Sequence, residues 1–261
     1  MAPEELVALM IPATYLAMLL AERFVAARSW PEIRLWRTRG IAFFVMLMAI
    51  NALLPSLLPA PARAWHLVDG TALGVAGGAL AGFLAASLVN ALLHRAYHRY
   101  DVLWRWVHQL HHAPERVDVS GSVIFTPLEI AINVLAFQVV SVLLLGLDPL
   151  AAAIAGFIAA FYGMFQHFNV RTPRWLGVLI QRPESHCVHH RRGLHAYNYS
   201  DFPLWDMLAG TFRNPRAFHG DVGFGPSATQ PVIATIAGRD ANAALYGPRS
   251  RGSADPAANP A

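Results

Sequence analysis

Five stretches of the chain are apolar over nearly the length a bilayer demands: about Leu6–Ala21, Ile41–Leu58, Leu67–Leu93, Val123–Leu147 and Leu150–Phe165. A helix needs about 20 apolar residues to cross the hydrocarbon core, and 261 residues cannot easily bury five such runs inside a soluble core. The chain therefore reads as an all-α integral membrane protein. It is expected to have about four to five membrane helices, and the last two runs, separated only by Asp148-Pro149, fit two full spans and a shallow re-entrant hairpin equally well. Charged residues make up 14% of the chain, against about a quarter in soluble domains. The first run, which could be a signal peptide by length, is expected to be a membrane helix, because Met1–Glu5 carries no positive charge and the arginines follow the run. The third run is rich in glycine (Gly74, Gly77, Gly78, Gly82), which permits close helix packing, either within the chain or against a second copy.

All 20 basic residues are arginine, a habit expected of a GC-rich genome. Their placement orients the spans. Arg23, Arg28, Arg34, Arg37 and Arg39 follow the first run, and only Arg63 separates the second from the third. Arg95, Arg99, Arg105 and Arg116 follow the third, and Arg171, Arg174, Arg182, Arg191 and Arg192 follow the fifth. The positive-inside rule then predicts an outside N-terminus and a cytoplasmic C-terminus, most simply in a bacterial inner membrane. Trp30, Trp36, Trp65, Trp104, Trp106 and Trp175 stand near span ends, where interfacial anchors are expected. The arginines form no continuous basic face, so nucleic acid is not an expected partner. A single membrane domain is expected over residues 1–237, followed by a disordered Ala/Gly/Pro/Ser-rich tail over 238–261.

Histidine is the outlier, with 12 residues. His94 and His98 lie in HRAYH, and His108, His111 and His112 in HQLHH. His167 closes the fifth run, and His186, His189 and His190 lie in HCVHH. Residues three and four apart share a helix face, so each box aims two or three imidazoles at a common point. Many neutral imidazoles near a membrane without partners would be costly, whereas His66 and His219 read as ordinary surface residues. The single cysteine, Cys187, excludes a disulfide framework and a thiolate zinc site. Nine imidazoles overshoot one closed zinc site, and two ions sharing them is the economical reading. Imidazole suits zinc, copper, iron or nickel. Two irons open to oxygen fit the count best, by chemistry and analogy and not by spacing alone.

At these boxes the chain resembles the membrane fatty acid hydroxylase / sterol desaturase superfamily. HHAPERVDVSGSVIFTPLEI after the second box and NYSDFPLWDMLAGTF after the last extend the likeness, which covers roughly residues 80–215. The resemblance implies about four membrane helices, a histidine-rich cytoplasmic cap and a di-iron centre. It also implies O2-dependent attack on a lipid C–H bond. It assigns metal ligation to His94, His98, His108, His111, His112, His186, His189 and His190, with His167 matching a further family histidine. Two positions depart from the pattern: Thr126 stands where many members carry a histidine before Pro-Leu-Glu, and Gly163 where some carry one near His167. His195 is a reserve ligand. Asp118, Glu184, Asn198, Asp201 and Asp206 are candidates for orienting imidazoles, with Asn198 and Asp206 favoured and a turn or helix cap an equally good account of both. Glu129, a carboxylate at membrane depth, is expected to pair with an arginine or a histidine or to lie near the interface.

The implied reaction is hydroxylation or desaturation of a membrane lipid, an acyl chain or sterol-like molecule, held in an apolar cleft. Hydroxylation is favoured on family breadth. Electrons must come from an external donor, of reductase, ferredoxin or cytochrome type, because the chain has no GxGxxG and no iron-sulfur cysteine set. The competing class is a non-enzymatic histidine-rich metal-binding or transport protein. It would need a polar path that these runs, with Asn51, Asn90, Glu129 and Asn133 as the main exceptions, hardly supply. A bis-histidine haem protein is a third and weaker alternative.

Overall fold

Proline and a capping side chain set where the helices begin. In the computed structural model, which describes residues 1–57, 59, 65–225 and 232–241, α1 (Pro3–Val25), α5 (Pro127–Gln138), α6 (Pro149–Phe165) and α7 (Pro183–His189) each start with proline in the first turn. The ring's fixed φ suits that position, and its missing N–H would be unsatisfied there anyway. Thr126 caps α5 by accepting from the Glu129 N–H, and Asp148 caps α6 by accepting from the N–H groups of Leu150 and Ala151. The remaining helices are α2 (Trp36–Leu53), α3 (Gly74–Arg99), α4 (residues 101–112), α8 (Leu204–Leu208) and α9 (Val232–Ile236). No strand occurs among the described residues.

Four helices are long and apolar enough to cross a membrane: Pro3–Val25, Trp36–Leu57, Gly70–Arg99 and Pro127–Leu144. The fifth apolar run forms α6, which at 17 residues is shorter and would span about 25 Å at 1.5 Å per residue. It packs against both α1 and α3. Gly78 and Gly82 of α3 serve this internal contact. A Cβ on Gly82 would stand 3.1 Å from the Ala155 Cβ and 2.7 Å from a Leu147 methyl, and one on Gly78 would stand 3.0 Å from the Ala151 Cβ. Two boundaries differ from the sequence reading. The third span runs on through Arg99, so HRAYH is the last turn of the spanning helix and not a segment after it. The fourth begins at Pro127, because Gly121–Val123 forms a separate short turn of 3-10 helix.

The connections rich in arginine all gather at one end of the bundle. Glu22 Oε1, at the end of α1, accepts from the N–H groups of Val119 (3.1 Å) and Asn169 (2.8 Å). Trp36 Nε1, at the start of α2, donates to Asp118. Between them Tyr15, Met18, Phe44, Val119, Val123 and Met164 form the core that joins bundle to cap. At the opposite end, residues 67–70 bond to the carbonyls of Leu143, Leu144 and Leu145; Arg63 lies outside the described residues. Trp36 and Trp104 are not membrane anchors. They are 5% and 0% exposed, and Trp104 packs on Ala113 and Phe224 inside the cap. Of the expected tail, residues 238–241 dock on the cap, where Gln109 Nε2 donates to the Arg239 carbonyl at 2.7 Å, while 242–261 lie outside the described residues.

Candidate metal centre

Each histidine box sits at the C-terminal end of a helix that delivers it to the cap. His94 and His98 close α3, His108 follows a π-helical turn (Trp104–His108) inside α4, and His186 and His189 lie on α7. His167 follows α6 by one turn. These side chains collect into two groups: His94, His98, His108, His112 and His189, and His111, His167, His186 and His190. Within each group the candidate ligand atoms lie within 4.8 Å of one another. The sorting follows helix geometry. Residues four apart share a face whereas consecutive ones point about 100° apart. His108 and His112 therefore join the first group and His111 the second; His186 and His190 join the second and His189 the first. The groups abut, with the His112 and His190 rings stacked at 4.1 Å.

The Nε2 atoms face each other across each group. They are 3.0 Å apart for His108–His112, 3.1 Å for His112–His189 and 3.3 Å for His94–His98. In the second group the separations are 3.2 Å for His111–His167, 2.9 Å for His167–His186 and 3.0 Å for His186–His190. Three Nδ1 atoms of the first group face acceptors: Tyr199 O at 2.6 Å from His94, Tyr197 O at 2.7 Å from His189, and Glu129 Oε1 at 2.6 Å from His108. A ring whose Nδ1 donates its proton outward presents only a lone pair at Nε2. Several lone pairs thus converge at hydrogen-bond distance, an arrangement that repels itself until a cation sits among them. Burial holds His108, His111, His112, His186, His189 and His190 well below the ordinary imidazole range, with neighbouring imidazoles adding to the effect, and lowers His167 to about 3. The rings are therefore neutral, as metal ligands must be.

The other expected residues occupy distinct places. His195 is buried beside the first group, its Nδ1 3.1 Å from the His112 Nδ1, so it stands behind a ring of the centre. Asn198 and Asp206 touch no imidazole. Asn198 donates to the Ser185 and Arg213 carbonyls and accepts from the Arg213 N–H. Asp206 accepts from the N–H groups of Tyr199 and Ser200 and from the Thr211 hydroxyl. Together they fix the loop whose Tyr197 and Tyr199 carbonyls meet His189 and His94. Asp118 and Glu184 are tethers, to Trp36 and to Thr172 and Arg182 respectively. Asp201, its carboxyl raised to about 6 by burial, accepts from Asn90 and Gln166. Cys187 is fully buried, its thiol pushed up to about 12 by that burial. His66 and His219 are exposed and belong to neither group.

The two carbonyls were not legible beforehand, since any residue supplies one; the left-handed backbone at His195, Tyr197 and Asn198 is what aims them. Gln181 was also missed. Its Nε2 bonds to Gln166 and the Asn198 carbonyl and lies 3.5 Å from His186 Nδ1. Glu129 takes the histidine among its foreseen partners. At the two departures from the family pattern, the Thr126 hydroxyl donates to the Val107 carbonyl, and Gly163 opens onto free space.

A cavity of about 640 Å³ runs through the bundle to the histidines. Its wall reaches from Ala8, Asn51 and Val142 near one end to His94, His108, His111, His167 and His186 at the other. From Glu129 to Val142 along the fourth span this is about 20 Å. Small side chains of α6, among them Ala152, Gly156, Ala159 and Gly163, keep it open. The wall is mainly apolar but not uniformly so, since Asn51, Asn90, Asn133 and Gln138 contribute to it.

The chain is 31% identical over 150 residues to a protein named ornithine lipid hydroxylase OlsE from Rhizobium tropici. The aligned part is 55% of this chain and 44% of that one, so the chain spans less than half of that relative's length. No solved structure matches. Residues 79–211, half of the chain and the part that holds every histidine of both groups, match the family described as fatty acid hydroxylase, and the chain belongs to that family.

Proposed function

We propose that the chain is an O2-dependent lipid hydroxylase whose nine clustered histidines hold two iron ions. The observation that carries this reading is the convergence of neutral imidazole Nε2 atoms in two adjacent groups. The donor set fits two cations: five nitrogens in one group, four in the other, and no thiolate. His94, His98, His108, His112 and His189 would hold one ion and His111, His167, His186 and His190 the other. When bound, the irons supply the activation of O2 needed to break an unactivated C–H bond.

The chain's own residues do the rest. Glu129 and the Tyr197 and Tyr199 carbonyls orient their imidazoles. The cavity positions the substrate chain, with its inner end at the faces of His94, His108, His111, His167 and His186. Phe125 stacked on His111 at 4.6 Å, and Trp104 over His98 and His112 at 5.2 Å, exclude water from the centre. The cavity begins among the membrane helices, which favours a substrate that arrives from the bilayer. A polar lipid of the kind named for the R. tropici relative is one candidate. The mainly apolar lining also argues against a path for free metal ions. The histidine end faces the cytoplasm of a bacterial inner membrane in this reading, because the arginine-rich connections gather there. An external reductase, ferredoxin or cytochrome supplies the electrons at that face.

The test is metal content of the detergent-purified chain by mass spectrometry, followed by lipid extraction after incubation with O2 and a reductant. Two irons per chain and a lipid product heavier by one oxygen atom are expected. One zinc per chain, or no metal after growth with added iron, would sink the proposal.

A further inference from the structure

We propose that Asn133 is the hydrogen-bond donor that holds an oxygen of the lipid, a carbonyl or a hydroxyl, and so places the attacked carbon within a few bonds of that oxygen. The inference rests on the lipid-hydroxylase reading and adds a specificity-determining residue to it. Asn133 lies on α5 one turn beyond Glu129, the carboxylate that bonds His108. Its Oδ1 accepts from the Tyr97 hydroxyl at 3.1 Å. Tyr97 is 2% exposed and its ring packs 5.5 Å from that of His108, so the amide is anchored from the side of the centre.

With its oxygen committed to Tyr97, Asn133 keeps both amide N–H groups, and neither meets an acceptor among the described residues. Asn51 in the same cavity wall behaves differently, since its Nδ2 bonds back to the Leu47 carbonyl at 2.9 Å in the ordinary helical manner. Asn133 instead presents its donor at the cavity, within the membrane span. An amide donor facing an apolar space is costly until an acceptor reaches it. A plain hydrocarbon chain offers none, whereas a carbonyl or hydroxyl oxygen does. Side chains one turn apart are about 6 Å from each other, so an oxygen on Asn133 is held close to the His108 side of the centre. The tail beyond it then fills the apolar length of the cavity.

The experiment equilibrates the detergent-purified full chain with octadecane, octadecan-9-one or octadecan-9-ol and measures the lipid retained per protein, alongside metal content. The wild type is expected to retain the ketone and the alcohol about tenfold over octadecane, the worth of one hydrogen bond. Asn133→Leu should bring both ratios to about one. Asn133→Asp, which trades the donor for an acceptor, should lose the ketone and keep part of the preference for the alcohol. Equal retention of all three by the wild type, or an undiminished preference in both variants, would overturn the inference. Metal content reads the broader proposal separately: an iron-loaded protein without the preference refutes only the role of Asn133, and a metal-free protein that keeps the preference refutes only the hydroxylase reading.

Discussion

The two histidine groups differ in what stands behind their imidazoles. In the five-histidine group the outward nitrogens meet two backbone carbonyls, the Glu129 carboxylate and His195. In the four-histidine group His111 meets the Ile124 backbone and His186 the Gln181 amide at 3.5 Å, and the buried His167 Nδ1 meets no hydrogen-bond partner among the described residues. Outward acceptors fix ring orientation and raise ligand basicity. More of the first group's rings are oriented by acceptors behind them, and the second group has one donor fewer. The second group is also the more open, since His111, His167 and His186 of its four line the cavity, against His94 and His108 of the first group's five. Oxygen and substrate would thus meet the less saturated half.

Removing one ligand from each half gives the largest expected contrast. His186→Ala leaves its group three nitrogens and should lose that ion, whereas His98→Ala leaves four and should keep its ion through purification. Metal per chain measures both, and equal losses would break the comparison. Next in size is Glu129→Leu, which strips the one carboxylate that stands behind a ring of the centre among the described residues. It should weaken the tighter of two chelator-resolved sites about 10- to 100-fold, with Glu129→Gln milder because an amide oxygen can still accept from His108. A loss confined to the weaker site would mean the halves are assigned the wrong way round.

Acid should act on both halves. The buried imidazoles are neutral in the folded chain and held below their ordinary value near 6.5, His167 to about 3. Between those values the unfolded chain binds more protons. Stability is therefore full above about pH 6.5 and falls as the pH drops through the window below it. Thermal scans of metal-free protein from about pH 7.5 to about pH 5 should show a steadily lower midpoint, and a flat profile would contradict neutral burial. The smallest effect expected is from Asp206→Asn, which weakens the bonds to the Tyr199 and Ser200 N–H groups and the Thr211 hydroxyl and should cost about 1–3 kcal/mol. Because that loop supplies the carbonyls for His94 and His189, any change in metal affinity should fall on the five-histidine group alone.

Much of the architecture was legible because lipid and helix geometry leave few choices. Apolar runs of bilayer length announce the spans, and the boxes announce the candidate metal ligands; the expectation that each box aims its imidazoles at one point fails, because in HQLHH and HCVHH the first and last histidines join one group and the middle one the other. What stayed illegible depends on long-range placement. Asn198 and Asp206 stand close in sequence to the last box, yet they serve the backbone of a loop and not the rings. Trp36 and Trp104 look like interfacial anchors by position, but the cap folds over them. Glu129 was expected to pair with an arginine or a histidine or to lie near the interface, and only the fold shows that its partner is His108, 21 residues earlier.

The sequence by itself determined that the chain is built of apolar helices of membrane-spanning length, that these number four or five, and that clustered imidazoles are its candidate site. Those properties follow from local length, periodicity and residue type, each read within a few turns of helix. Only the tertiary structure decided that the imidazoles form two unequal groups, which acceptors orient them, and that the cavity leading to them carries an asparagine with its donor turned inward. Each of these joins residues far apart in the chain, and pairings at that range are set by packing.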